Sequence, residues 1–458
     1  MRGEKSKSIE ELKHKTRRLS IKEGIFWTFR SAFGDSYLAP FAIAVGSSSP
    51  LVAIMNTLWN VSSITQVWGT KLLDKFSRKK ILSTTMIINS LGFLILSLIG
   101  ILYIKEIWTK FIPLLILLDM AILVSAAGIG YPPWFSWMGD VVDQKYRGRW
   151  WAKRTTIITF TSVFLTIISS FILQVFKNNG NTILGFILFF FIAFSARMYC
   201  RSLIKRHYEP PLKKSKKKNK SLFEFSKQFR KTNFGKFIIF RGFLSISMMI
   251  TSPLIAIYLL RDLGLSYPVY ILITLSGMVF SIFTLNFFGK ISDKFGNYRI
   301  IALMTFLIPL TPLLWALSTS PIYLFFVPGI IGGISWYAFL LASKNFIYDN
   351  VTKEKRAQAI AYINLVIGIG ALIGGAISTL LIKFIITSWI EPIILIFLIG
   401  SVARMITVAI FVPKMKEIKH KQKFKGLKEF EHLAVKELKP TLVEDLHEIE
   451  SIKNYMEE

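Results

Sequence analysis

The stretch "GKISDKFGNYR", residues 289–299, closes one apolar run, and a near copy, "TKLLDKFSRKK", residues 70–80, closes another. From Asp74 to Asp293 the two copies lie 219 residues apart. Each ends a hydrophobic segment with Asp-Lys-Phe and further cation. One such loop would say little, because connections on the inner side of a membrane are commonly basic. Two of them ask for a reading of everything around them.

The chain has 458 residues, 52% of them hydrophobic and only 18% charged, with a mean hydropathy of +0.49. Its apolar residues fall in blocks of roughly 20, the length a helix needs to cross a ~30 Å hydrocarbon layer. Blocks lie near 24–46, 51–73, 81–103, 111–138, 154–176 and 182–203. A second set lies near 236–260, 266–289, 299–318, 321–347, 357–382 and 389–412. The pattern predicts an all-α membrane protein of twelve transmembrane helices in two six-helix halves, 24–203 and 236–412. A basic arm (1–23), a basic linker (204–235) and a polar tail (413–458) complete the expected organisation. The fourth and tenth blocks are long enough to project beyond the lipid.

The net charge of +30 raises the question of nucleic acid. The cations, however, sit in the short connections and tails between apolar blocks, not among stacking aromatics, so a nucleic-acid partner is not expected. With both termini inside, the outer connections hold only Lys105, Lys110, Lys177, Arg261 and Lys383. Nearly all other cations then face the cytoplasm, as the positive-inside rule requires. The expected location is the cell membrane, multi-pass, with cytoplasmic termini and the lipid bilayer as partner. The first ~22 residues lack the apolar core of a signal peptide. The single cysteine, Cys200, excludes an internal disulfide or a multi-cysteine metal site.

Laid over each other at an offset near 210, the halves match in order. Arg30 answers Arg241, Asp74 answers Asp293, Asp140 answers Asp349, Arg147 answers Arg356 and Arg197 answers Arg404. These offsets are 211, 219, 209, 209 and 207, a drift that small loop insertions explain. Six blocks per half, both starting inside, make parallel repeats about an axis along the membrane normal.

These features together resemble the major facilitator superfamily of transporters, over about residues 20–412. Its signature after the second and eighth spans is Gly-x-x-x-Asp-Lys-x-Gly-x-x-Arg, which Gly289, Asp293, Lys294, Gly296 and Arg299 follow. The first copy departs from it, with Thr70 (beside Gly69) and Ser77 at the glycine positions, which predicts a wider helix contact and a less permissive turn. "GDVVDQKYRGR", with Asp140 and Arg147, fits the signature after the fourth span.

The resemblance implies alternating access and a gate at the cytoplasmic rim, built from Asp74, Lys75, Arg78, Asp140, Arg147, Asp293, Lys294, Arg299, Asp349 and Arg356. Asp74 is expected to pair with Arg147 or nearby cations, and Asp293 with Arg356. The other reading of these loops is that their cations only fix topology.

Charges inside spans are costly and mark pathways or paired structural sites. Here they are Arg30 and Asp35 in span one, Asp119 in span four, Arg241 in span seven and Lys344 in span ten, apart from Arg197 and Arg404 toward the inner ends of spans six and twelve. The resemblance implies that these four spans line the central cavity. At ~1.5 Å per residue Asp35 and Asp119 fall near one depth, and five residues of helix put Arg30 ~140° around from Asp35. Arg30 and Asp35 are on that count poorly placed to pair, and Asp119 is the cross-helix candidate. Two readings of Asp35 stay open, as a proton carrier with Asp119 or as a permanent partner of Arg30. Trp134, Trp137, Trp336 and Tyr337 are at a depth to stack on a ring-bearing solute or to pack between helices, and Trp336 joins the cavity set. Gly368, Gly370, Gly374 and Gly375 suit close helix packing.

The function expected is secondary active transport of a small molecule by a monomer, with protons as a candidate coupling ion. A transporter-like sensor or scaffold, acting through linker and tail, is the alternative. No nucleotide loop, metal cluster or nucleophile–base set suggests an enzyme, and no cofactor or metal is expected.

Overall fold

The structure is a computed structural model that describes residues 2–142, 147–211, 232–282, 284–351, 356–387 and 389–418. Most of the expected linker and tail lies outside the described residues. Among the described residues every regular element is a helix. Its main helices are α1 (Arg2–Phe33), α2 (Leu38–Ala44), α3 (Ser49–Leu58), α4 (Val61–Leu72), α5 (Arg78–Ile104), α6 (Ile112–Val141), α7 (Arg147–Asn178) and α8 (Thr182–Lys205). There follow α9 (Asn233–Met249), α10 (Tyr267–Ile282), α11 (Leu285–Phe295), α12 (Asn297–Leu307), α13 (Leu310–Leu317), α14 (Pro321–Asn350), α15 (Arg356–Phe384) and α16 (Pro392–Phe411).

Among the described residues, nine helices are long and apolar enough to cross a membrane. The other three expected spans are interrupted. The first bends at Gly34 between α1 and α2, the second at Trp59-Asn60 between α3 and α4, and the eighth between α10 and α11. The helices α6 and α14 each run 30 residues, ~45 Å at a helical rise, longer than the hydrocarbon layer is thick. A single helix, α1, runs from the expected arm into the first span without interruption from Arg2 to Phe33.

The chain divides into two compact units. One comprises 1–219, 252–271 and 371–385; the other comprises 220–251, 272–370 and 386–458. The first unit thus takes in two segments of the second expected half. Within it, Asn56 Nδ2 donates to the Pro253 carbonyl over 2.8 Å, and Arg261 donates to the Ser49 hydroxyl over 2.6 Å and to the Ser47 carbonyl. A Cβ on Gly375 would lie 2.1 Å from Thr57 Oγ1, so only glycine lets α15 approach there.

In the first unit α5 packs between α6 and α8, and α1 lies on α7 and α8. Tyr37, Phe41, Phe186, Phe189 and Phe190 interlock at centroid separations of 5.0 to 6.3 Å, three of the pairs edge-to-face and Phe186–Phe190 stacked. Such pairs stabilise beyond their apolar burial. In the second unit α12 packs on α14, and α9 and α13 pack on α16. A buried cluster there gathers Phe234, Phe237, Phe240, Phe339 and Phe346. A Cβ on Gly370 would meet the Gly242 carbonyl at 2.5 Å, which agrees with the close packing expected of the α15 glycines.

The two signature loops differ for local reasons. Gly296 has φ +99°, a conformation that side chains rarely adopt. Ser77 instead holds extended backbone (φ −68°, ψ 151°), and its Oγ accepts from the Lys80 amide over 3.2 Å, an ordinary helix N-cap. The expectation of a wider contact beside Thr70 is corrected. A Cβ on Gly69 would lie 2.3 Å from the Ile129 carbonyl oxygen, so α4 approaches α6 closely one residue ahead of the signature position. On Gly289 it would meet nothing nearer than Leu341 Cδ2 at 4.0 Å.

Candidate functional site

The cavity is set by the end of α1. Gly34 N donates to the Arg30 carbonyl over 2.9 Å, and a Cβ on Gly34 would lie 2.5 Å from that oxygen and 2.5 Å from the Phe93 ring. The chain then leaves the helical path into a one-turn 3₁₀ segment, Asp35–Tyr37. That turn brings Asp35 back over Arg30, whose Nη2 donates to Oδ1 over 2.6 Å and to Oδ2 over 2.5 Å. The helical-wheel expectation that these two are poorly placed is therefore corrected; it assumed a helix that Gly34 interrupts. The guanidinium also lies over Trp27 at 5.8 Å and Phe93 at 5.7 Å, and its Nε has no hydrogen-bond partner.

A second pair was missed in the sequence because it sits at the rim of the first and fifth spans. Arg154 Nη2 donates to Glu23 Oε2 over 3.4 Å, with Arg154 stacked 4.6 Å over Trp134. Arg197 of α8 is 8% exposed, and its Nε has no partner. Glu23, Arg30, Asp35, Arg154 and Arg197 line one cavity of about 410 Å³, together with Trp27, Trp59, Tyr131 and Trp134. The volume is that of a small-molecule site. A spacing argument restricted to the middle of each span could not include Glu23 or Arg154.

Asp119 does not line this cavity. It is 4% exposed, both its oxygens lack hydrogen-bond partners, and Oδ1 would lie 3.2 Å from a Cβ on Gly92 of α5. Trp137 is fully buried and donates to the Tyr208 carbonyl over 2.8 Å, which makes it a packing residue. In the second unit, Arg241 is 9% exposed and lies over Phe339 at 4.9 Å and Trp336 at 5.7 Å, with Nε and Nη1 unpartnered. Lys344 is exposed.

At the expected rim, Arg78 Nη2 donates to Asp140 Oδ2 over 2.5 Å. Arg78 is 1% exposed and Asp140 48%, so one partner is desolvated and the other faces out. The repeat offset of 219 takes Arg78 to Asn297, and Asn297 Nδ2 donates to Asp349 Oδ2 over 2.7 Å. Both units therefore make the same link, one with a guanidinium and one with an amide. Asp74, Lys75 and Lys294 are exposed and Arg299 is half-buried. The side chains of Arg147, Asp293 and Arg356 lie outside the described residues, as do the pairings expected of them.

Two acids that the sequence reading passed over complete the rim. Glu209 accepts from the Arg78 amide over 2.7 Å and the Lys79 amide over 3.3 Å at the start of α5. Glu417 accepts from the Tyr298 amide over 2.8 Å at the start of α12. They lie 208 apart, so the repeat offset was the available signal. A carboxylate there satisfies amides with no helical partner and opposes the positive helix end.

Beside Glu209, His207 is 1% exposed, with Nδ1 donating to the Leu203 carbonyl over 2.8 Å and Nε2 unpartnered. Burial, opposed by that hydrogen bond and assisted by Lys79 and Arg154, lowers its pKa from 6.5 to about 4. The folded state therefore holds neutral histidine, and its advantage is complete above pH 6.5 and lost as pH falls toward 4. At 1.36 kcal/mol per unit this is about 3 kcal/mol at the acid end. Unfolding midpoints of detergent-purified protein should fall between pH 6.5 and 4, and H207F should flatten that slope; an unchanged slope would reject the assignment.

Residues 25–251 and 237–444 match the Major Facilitator Superfamily. The chain belongs to that family of membrane transporters. Multidrug resistance protein 2 of Bacillus subtilis (strain 168) is 26% identical over 136 residues, 30% of this chain and 33% of that protein, so the match spans about a third of the relative. Among solved structures, the nucleoside transporter NupG is similar at a TM-score of 0.65 and 14% identity, covering 88% of this chain and 100% of its own. A bacterial homologue of the iron transporter ferroportin, in its inward-facing state, is similar at 0.65 and 14% identity over 87% and 98%. The POT family transporter PepTSo follows at 0.62 and 12% identity over 87% and 97%. At these identities the likeness shows the fold alone.

Proposed function

We propose that this protein is a secondary active transporter that moves a small organic solute across the cell membrane by alternating access, coupled to protons. The observation that carries this reading is the cavity of about 410 Å³ lined by five acidic or basic side chains, where hydrocarbon-spanning helices would otherwise be apolar. The proposed organisation is twelve spans in halves 24–203 and 236–412, with arm, linker and tail in the cytoplasm and the monomer as the working unit. The duplicated links Arg78–Asp140 and Asn297–Asp349, with Glu209 and Glu417 behind them, support a cytoplasmic rim that fastens in one state and opens in the other.

Asp119 is the proposed proton carrier. Asp35 already accepts two hydrogen bonds from Arg30, whereas both Asp119 oxygens are buried without a partner, and a proton is the smallest partner available. The test is flux in liposomes under an imposed pH gradient, with a pH-sensitive dye inside and a panel of small solutes outside. D119N should abolish pH-driven accumulation and retain solute exchange. Accumulation undiminished in D119N would remove the coupling assignment, and no solute-dependent signal from the unmodified protein would remove the transport reading.

A further inference from the structure

Resting on the transport reading, we infer that the cavity of the first unit selects a ring-bearing organic monoanion, a carboxylate whose charge Arg197 receives. The charges on the cavity wall do not balance. Glu23 is matched by Arg154 at 3.4 Å and Asp35 by Arg30 at 2.5 Å. Arg197 forms a salt bridge with neither acid, although both act on it across the cavity, so with every group ionised the lining carries one net positive charge. Its Nε, like that of Arg30, is a buried donor with nothing to donate to. A desolvated guanidinium with an unmet N–H is unfavourable until an acceptor arrives.

The planar fork of arginine fits a carboxylate in two-point contact. A single negative charge neutralises the wall, a second would overshoot it, and a cation would add to the existing excess. The rest of the lining supplies the ring preference. Trp27, Trp59, Tyr131 and Trp134 surround the charged groups. Arg154 and Arg30 already lie over Trp134 and Trp27, while Tyr131, 52% exposed and stacked on Phe135 at 6.1 Å, adds aromatic surface to the lining for a flat apolar body. Considered alone, the second unit has the same sign: Arg241 and Arg404 are buried there, and no carboxylate of that unit is buried among the described residues.

The test is isothermal titration calorimetry of the purified full chain with three probes of one ring, 2-naphthoate, 2-naphthylmethanol and 2-naphthylmethylammonium, and with 2-naphthyl phosphate as the doubly charged arm. Naphthoate should bind saturably and more tightly than the other three. R197Q should weaken naphthoate by about ten- to a hundredfold, the effect of one charged hydrogen bond. R197K should recover only part of the loss, because lysine restores the charge without the two-point fork, and thermal unfolding of both variants would show that they remain folded. Equal or tighter binding of the ammonium probe, no naphthoate heat, or unchanged affinity in R197Q would overturn the inference. The transport reading fails separately. pH-driven flux of a cation would sink the anion assignment and leave transport standing, whereas naphthoate that binds but never crosses a liposome wall would do the reverse.

Discussion

Removing the Asp35 carboxylate, as in D35A, should destabilise the protein by about 3–5 kcal/mol, the cost of leaving a buried charge without its partner. Arg30 has 6% side-chain exposure and Asp35 15%, so water does little to compensate. The Arg30 guanidinium already has one nitrogen unmet, and losing Asp35 would strand it between Trp27 and Phe93. Replacing both partners by apolar residues of similar size, R30M with D35L, should recover most of the loss, because a buried pair contributes little over a well-packed apolar one. SDS titration of the purified protein would measure all three. A D35A shift below about 1 kcal/mol, the range of exposed pairs, would mean that the two side chains are solvated and that the cavity wall is not as described.

The second large effect concerns one methyl group. G69A would place a Cβ 2.3 Å from the Ile129 carbonyl oxygen and 3.1 Å from its carbon. The obstruction is helix backbone, which cannot rotate aside as a side chain can. Overpacking of this kind costs typically 1–3 kcal/mol and occasionally more, and here it pushes α4 off α6. G289A, at the signature glycine itself, would meet only Leu341 Cδ2 at 4.0 Å, and should change stability by less than about 0.5 kcal/mol. Thermal melts and size-exclusion profiles of the two variants side by side would decide it. A variant order reversed from this one would show that the signature position, not its neighbour, carries the contact.

The fold was legible where apolar length alone decides it. Blocks of about 20 residues located the nine membrane-length helices found among the described residues, and the offset near 210 joined Arg30 to Arg241 and Asp140 to Asp349. Legibility failed where backbone departs from an ideal helix. The turn at Asp35–Tyr37 reverses the angular argument about Arg30, and no helical periodicity anticipates a break that depends on Gly34 meeting Phe93. It failed again where partners come from chain just beyond a span. Glu23, just ahead of the expected first span, and Glu209 and Glu417 beyond helix exits, look like ordinary boundary acids until folding sets them against Arg154 and the amides of α5 and α12. Asp119 was found by its cost in hydrocarbon, but its neighbours were not, because side-chain facing between α5 and α6 depends on their rotation.

Glu209 and Glu417 have a mechanical consequence. Each stands on the segment leaving the last helix of its set and is moored to the first amides of another helix, so the chain is tethered to the signature loop before it departs. Tension applied to either outgoing segment would load that mooring ahead of anything deeper in the bundle. A binding partner that tugged on the linker would therefore have a short lever on the rim without touching the solute cavity.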